Sequence, residues 1–420
     1  MPRKHGPGPP CSVFASPSGR AAAAGRSKRK PTSLDGAQTS SRPGSVVCLL
    51  AGTYEISSPF YVTRSGTPGH PIVYRAFRRR AVLRWTGPRP ITRSYAVVQL
   101  ANDEHDVQFR GLTIDGAGRA SQGLKCDSGA RGLAVLDSTI RNTGSAGIAT
   151  KRCDRVTIVG NLISHTGYDP TVGWSSGVSL NGNVWSDRAP GFHDVVVGNV
   201  VSGASDESFH HSEGHGVIVD QSGDGPPVLV ADNVVYENGG RCVDAYRSSH
   251  VWFVSNTCYA DNLDTRLRNV GEIGASVGSD LHFIDNVAYA WAARAPYRID
   301  DATGQFTRNV GYGAGPSLVP RSVIDDQFRV RRVDPLFTAP PAVPPAARGK
   351  QRTALPPWEV GIRFVPLPSS PLVGSGVDPR AAVGVTAALR AGMNRYLRTD
   401  IRGEPRPKGR GWDIGAYQLP

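Results

Sequence analysis

Val156-Thr-Ile-Val-Gly-Asn161, Val195-Val-Val-Gly-Asn199, Leu229-Val-Ala-Asp-Asn233, Trp252-Phe-Val-Ser-Asn256, His282-Phe-Ile-Asp-Asn286 and Phe306-Thr-Arg-Asn309 are six versions of one short phrase. Each is a strand-forming run closed by Asn. Val107-Gln-Phe-Arg-Gly111 and Leu133-Ala-Val-Leu-Asp137 fit the series with the Asn replaced. Counted from residue 111, the steps are 26, 24, 38, 34, 23, 30 and 23 residues. Most cluster near 24; the two longest read as one turn plus an inserted loop of roughly ten residues. A unit this short cannot bury its own apolar face, so neighbours must stack. The pattern predicts an all-β protein: a right-handed parallel β-helix with coils of about 24 residues, about eight of them between Val97 and Tyr312. The recurring Asn has a physical use there, because stacked amides can hydrogen-bond coil to coil.

A second run follows each Asn phrase. These runs align as Gly123-Leu-Lys-Cys-Asp127, Gly147-Ile-Ala-Thr-Lys151, Gly177-Val-Ser-Leu-Asn181, Gly216-Val-Ile-Val-Asp220, Cys242-Val-Asp-Ala-Tyr246 and Glu272-Ile-Gly-Ala-Ser276. Strand alternation sends Leu124, Ile148, Val178, Val217, Val243 and Ile273 inward, and with them Cys126, Thr150, Leu180, Val219, Ala245 and Ala275. Two outward columns remain: Lys125, Ala149, Ser179, Ile218, Asp244, Gly274, and Asp127, Lys151, Asn181, Asp220, Tyr246, Ser276. Asp220 and Asp244 fall on adjacent coils, flanked by His215, Arg241 and Arg247. Two inserted loops point to the same face. One, in His165–Phe192, carries Trp174 and Trp185; the other, in Ser202–His215, carries Asp206, His210, His211 and Glu213. Long loops on a rigid scaffold are commonly functional. Aromatic rings beside carboxylates suit sugars, which offer an apolar face and polar edges.

Charge is unevenly placed. The chain carries 48 Lys/Arg against 35 Asp/Glu. Residues 1–30 hold seven Lys/Arg and no acid, whereas residues 102–312 hold 16 Lys/Arg and 25 Asp/Glu. An acidic middle is not the working surface of a nucleic-acid-binding protein. The basic Pro/Gly/Ala/Ser-rich stretch 1–42 reads as a disordered tail. No run reaches the roughly 18 apolar residues of a membrane span. The six Cys show no CxxC spacing, so a cysteine zinc site is not expected. Buried free thiols are the favoured expectation, one or two disulfides the alternative. The histidines of the second loop match no zinc spacing.

At these residues the chain resembles the pectate-lyase-like superfamily of right-handed parallel β-helix proteins, and within it a bacterial secreted group. The resemblance is carried by Ser176-Gly-Val-Ser179, Gly198-Asn199, Glu213-Gly-His-Gly-Val-Ile-Val-Asp220, Asp232-Asn-Val-Val-Tyr-Glu-Asn-Gly-Gly240 and Ser255-Asn-Thr257. Ala51-Gly-Thr-Tyr54 looks like the opening of such helices; Asp334-Pro-Leu-Phe337 and Asp413-Ile-Gly-Ala-Tyr417 look like their closing region. The resemblance implies a helix over residues 43–335 with residues 336–420 packed on it, an extracellular setting, a monomer, and a polysaccharide or oligosaccharide partner. The first 30 residues nonetheless lack the apolar core of a signal peptide. One departure stands out: Glu213-Gly-His-Gly216 occupies the place of an Asp-Gly-Asn-Gly motif, so Glu213 keeps the acidic role with a longer reach, while Asp220 carries over directly.

Three functions stay open at this point. A lyase acting on a uronic-acid glycan needs its substrate carboxylate neutralised, by Ca²⁺ or Arg, and a base. Lys151 or Arg247 is the candidate base, and Asp206, Glu213, Asp220 and Asp244 are candidate calcium ligands. A glycoside hydrolase, or an epimerase of the same fold, is the second reading. Asp220 and Asp244 would be on the order of 8 Å apart, inside the range of about 6.5–9.5 Å for an inverting pair. A binding-only β-helix is the third. Catalytic candidates are thus Asp220, Asp244, Lys151, Arg247 and His215. Substrate contacts fall to Trp174, Trp185, Asn181, Tyr246 and Arg241, and metal ligation to Glu213, Asp206 and Asp220.

Overall fold

The strand-forming phrases stack into three parallel sheets that share one interior. The computed structural model describes residues 9–89, 96–267, 270–319, 323–325, 332–342, 357–407 and 411–420. The front sheet contains Ala96–Leu100, Gln122–Asp127, Ile148–Lys151, Val178–Asn181, Val217–Asp220 and Val243–Tyr246, then the first halves of Ile273–Ile284 and Tyr297–Thr307. The second sheet runs through His105–Arg110, Arg131–Leu136, Thr157–Val159, Asp194–Val197, Val228–Ala231 and Val251–Val254 into the second halves of the same two long strands. Among the described residues the third sheet has ten strands, from Gly52–Ile56 to Val310–Tyr312. Every pairing between these strands is parallel, which is the geometry of a β-helix.

The Asn ladder holds the turn between the second and third sheets. Asn161, Asn199, Asn233, Asn256, Asn286 and Asn309 are all buried. In the first five, each amide nitrogen donates to the Oδ1 of the next Asn at 2.9–3.0 Å. Its other hydrogen reaches a backbone carbonyl such as Ile158 O or Val230 O. The residue before each rung has positive φ, from Gly160 (70°) to Arg308 (54°). The same left-handed residue is Gly111 in one early coil and Asp137 in the next. Leu112 and Ser138 therefore stand at the rung positions, and the expected alignment of Gly111 and Asp137 with Asn is off by one. Ser138 takes up the role: its N–H donates to Asn161 and its hydroxyl accepts from Leu112 N–H.

Two expectations fail. The tail expected to be disordered through residue 42 is built into the fold from Pro9 onward, residues 1–8 lying outside the described set. Val13–Ala15 pairs in parallel with Val46–Leu49. The helix Leu34–Ser40, capped by Ser33, sends Leu34 and Ala37 into the main core. It closes the exposed end that any stacked solenoid must protect. Composition misled because the few apolar residues here serve one end of a long core. The cysteines, expected mainly as free thiols, form three disulfides: Cys11–Cys48, Cys126–Cys153 and Cys242–Cys258, with Cα separations of 5.7, 6.3 and 5.7 Å. Their sequence spacing of 37, 27 and 16 residues hid this, since the coil geometry brings them together.

Over the later coils the outer faces of the other two sheets are apolar and covered. Val195, Val197, Leu229 and Trp252 of the second sheet pack with Leu389, Met393 and Leu397, in and just beyond the helix Ala387–Tyr396. Val234, Tyr236, Tyr259 and Val287 of the third sheet pack with Phe337, Phe364, Ile414 and Tyr417. A buried ion pair between Arg406 and Asp232 fastens this C-terminal segment to the solenoid. Among the described residues no helix is long and apolar enough to cross a membrane.

Candidate functional site

The front sheet keeps polar side chains on its outer face along successive coils. Its register sets Lys125 beside Ala149, then Ser179, Ile218, Asp244 and Gly274, and Asp127 beside Lys151, then Asn181, Asp220, Tyr246 and Ser276. Those are the two columns expected from alternation.

A cleft of about 640 Å³ opens over the first of these coils. Lys125, Lys151, Ser179, Asn181 and Asp220 form its floor, and Glu213 closes one side. The two inserted loops make the walls. Trp174 is 61% exposed and its ring stacks on His210 at 4.1 Å. Phe209, 82% exposed, lies 3.9 Å from the same imidazole. Two large apolar rings held in water on a rigid face are costly unless they meet a ligand. Both walls are anchored. Arg89 grips Asp169 of the first loop with two hydrogen bonds, at 2.7 and 3.1 Å. Arg266 bridges Asp264 and Glu207 of the second.

Electrostatics divide the cleft. At one end Lys125 pairs with Asp127 at 2.7 Å, and Lys151 is exposed beside them. At the other, Asn181 donates to Asp220 at 2.5 Å. Burial lifts the Asp220 carboxyl, and the Asp244 charge adds to the rise. Glu213 is more strongly affected. Burial, reinforced by the charges of Asp220, Asp206 and Asp244, raises it to about 8. It is therefore a carboxylic acid at neutral pH, held by the Ser176 hydroxyl at 3.0 Å. A buried neutral acid facing a cleft is a proton donor in waiting.

His215, Arg241 and Asp244 form a second cluster beside the cleft rather than within its lining. Arg241 donates to Asp244 as a close, buried ion pair. Its guanidinium lies over Gly274, where a Cβ would come within 2.5 Å of it. Burial pushes His215 down to about 4, the Asp244 charge only partly opposing this. The ring is therefore neutral. Its Nδ1 accepts the Arg241 backbone N–H at 2.7 Å, which places the ring proton on Nε2, 3.7 Å from Asp244. Gly240 makes room for that ring, since a Cβ there would meet Nδ1 at 2.4 Å.

Of the expected site residues, Lys151, Asn181, Asp220, Glu213 and Trp174 meet in the cleft. Tyr246, 38% exposed, extends the floor next to Asp220, with the Arg247 guanidinium over its ring at 5.3 Å. Asp244 and Arg241 face outward but are buried, contrary to the expectation of an exposed acid pair. Neutral His215, expected among the catalytic residues, has its only lone-pair nitrogen occupied by the Arg241 N–H. Trp185 lies elsewhere, edge-on to His193 at 4.7 Å and bonded to Asp224 O. Asp206 turns into its own loop, accepting from the Ser208 hydroxyl at 2.6 Å and from the Ser212 and Glu213 N–H groups. Of the expected calcium set, Asp206 is thus committed to its own loop, while Glu213 and Asp220 face the cleft. Among the described residues no three His, Cys, Asp or Glu side chains converge on a metal position. Lys125, Phe209 and His210 line the cleft without having stood among the candidate site residues. Lys125 already stood in the outward column, and Phe209-His210 lay in a loop singled out for its length.

Residues 96–263 match the family described as the right handed beta helix region. No curated protein matches the chain. Among solved structures, pectate lyase Pel9A is similar over 97% of this chain and 96% of its own, at 14% identity and a TM-score of 0.60. An alginate lyase from Paenibacillus sp. str. FPU-7 aligns over 76% of this chain and 100% of its own, at 14% identity and a TM-score of 0.40. A lacto-N-biosidase from Eubacterium ramulus aligns over 76% and 68%, at 12% identity and a TM-score of 0.42. The chain therefore has a right-handed parallel β-helix fold.

Proposed function

We propose that the protein is a carbohydrate-active β-helix whose front cleft cleaves a uronic-acid-containing polysaccharide by β-elimination. The observation that carries this reading is the joint presence in one cleft of Lys125, Lys151 and a protonated Glu213. The chemistry needs three things: a cation for the sugar carboxylate, a base for the C5 proton, and a proton for the departing O4. Lys125 exchanges its Asp127 partner for the substrate carboxylate. The Lys151 amine takes the C5 proton. The C4–O bond then breaks, the C4–C5 double bond forms, and Glu213 donates its proton to the leaving oxygen. Trp174 and Phe209 offer apolar faces to the sugar rings.

The pectate lyase that shares this fold makes polygalacturonate the first substrate to try. Three disulfides suit an oxidising, extracellular setting. A second reading has its own support. Asp220 next to a neutral Glu213 resembles the base and acid of a glycoside hydrolase.

Incubation with a panel of polyuronates and neutral glycans separates the readings. The lyase reading expects an unsaturated uronate product, lost on the order of 10²–10⁴-fold in Lys151→Ala with the melting temperature unchanged. New reducing ends without that product, surviving in Lys151→Ala and lost in Asp220→Asn, would replace it with the hydrolase. Binding without cleavage of any glycan leaves a recognition module.

A further inference from the structure

A second concave surface lies on the opposite side of the solenoid. It occupies the corner between the second and third sheets, as a groove of about 670 Å³. The turn between Ile72–Ala76 and Ala81–Trp85 contributes Arg78, Arg79 and Arg80, all exposed. Arg141, at the end of Thr139–Arg141, faces them two coils on. Asp137 is the one acid in the lining. Some of this charge is already engaged: Arg141 pairs with Asp115 at 2.9 Å and Arg80 donates to Thr113 at 3.1 Å. Arg78 lies over the Phe77 ring at 5.2 Å, and among the described residues neither it nor Arg79 shows an ion pair. Their cationic strip is set in a solenoid whose residues 102–312 carry an excess of acid.

We propose that this groove is an accessory binding site for a linear acidic polysaccharide, distinct from the front cleft. Guanidinium groups bind carboxylates through two parallel hydrogen bonds, which suits a row of uronate groups. The groove is elongated along the helix axis: it crosses four successive coils, from Ala76 to Leu162, and so spans roughly 14 Å. It stops at Leu162, which packs against the C-terminal cover. Among the described residues no aromatic ring lines it, so they offer none of the stacking platforms of a single-strand nucleic-acid groove. No large apolar side chain projects from it as a membrane anchor would. The acidic class of ligand rests on the function proposed above; the location and its arginines do not.

Affinity electrophoresis through gels containing polygalacturonate, alginate or a neutral glucan tests this. The wild-type protein should be retarded by the two acidic polymers and not by the glucan. The Arg78→Gln/Arg79→Gln variant should lose about five-fold or more in affinity for both acidic polymers. Its melting temperature, and its turnover of a short oligouronide that fits the front cleft, should stay at the wild-type level. Unchanged retardation of that variant overturns the proposal. So does retardation that disappears in Lys151→Ala instead, or tighter binding to duplex DNA or phosphatidylglycerol vesicles at the same ionic strength. Arginine-dependent retardation without cleavage of any polyuronate would sustain this site while refuting the lyase reading. Cleavage with arginine-independent retardation does the reverse.

Discussion

The front and second sheets are made by the same coils and the same strand spacing, yet their outer faces have opposite fates. On the second sheet the outward positions are Val195, Val197, Leu229 and Trp252, and a helix lies across them. On the front sheet they are Lys125, Lys151, Asn181, Asp220 and Tyr246, and two loops wall them into a cleft. The lesson is that a solenoid has three outward faces to dispose of. Apolar outward residues recruit a cover, whereas polar ones leave a surface for a ligand. Here the C-terminal segment covers the later coils of two faces, and the front face is left open to a ligand.

The contrast breaks most visibly under one substitution made on both faces. Val197→Asp puts an unpaired charge beneath the cover and should cost more than about 4 kcal/mol. Ala149→Asp, on the open cleft floor, should cost about 1 kcal/mol or less. Denaturant midpoints of the two variants read this directly. Equal losses would mean that the front face is as closed as the second.

The buried acid at the cleft edge gives a pH signature of intermediate size. Glu213 ionises near 8 when folded and near 4.5 when unfolded. Between those values the folded state binds the extra proton, so its contribution to stability falls as pH rises from about 4.5 to 8 and is lowest above that window. Glu213→Gln should remove this part of the decline, on the order of a few kcal/mol, in wild-type-minus-variant stability profiles. Parallel profiles would mean that Glu213 is charged throughout.

Smaller again is the effect of one rung. Asn233→Ala and Asn256→Ala should each cost about 1–3 kcal/mol, because each leaves the backbone N–H of the previous rung and two carbonyl partners without a mate. Thermal melts within experimental error of wild type would remove the ladder from the account. The least change in stability is expected for Trp174→Ala, within about 0.5 kcal/mol at this exposure. Its effect should appear instead as a loss of roughly five-fold in oligosaccharide affinity by calorimetry, about 1 kcal/mol. A destabilised variant with unaltered affinity would make the ring a structural plug.

How much was legible in the sequence differs from feature to feature. The ladder was readable from Asn161 onward because the same amide recurs at the same place in every coil. It was misread in the two earlier coils, since Gly111 and Asp137 resemble a missing Asn while the rung is the next residue. The columns of the front sheet were readable because alternation has a period of two and tolerates no ambiguity once one inward residue is known. Trp185 and Asp206 were misplaced because a loop has no such period: being in the right loop does not say which way a side chain points.

Periodicity in the chain by itself determined the coil, the parallel sheets, the Asn-bearing turn and the outward columns that carry Lys151, Asn181 and Asp220. These follow from local repetition, and a repeat constrains each coil through its neighbour. Only the tertiary structure decided which face stays open, that residues near the start of the chain cap the stack, which cysteines join, and that Glu213 is protonated while His215 is neutral. Those outcomes depend on contacts between segments far apart in the chain and on how completely water is excluded from each group. Neither quantity has a period that could be read along a single sequence.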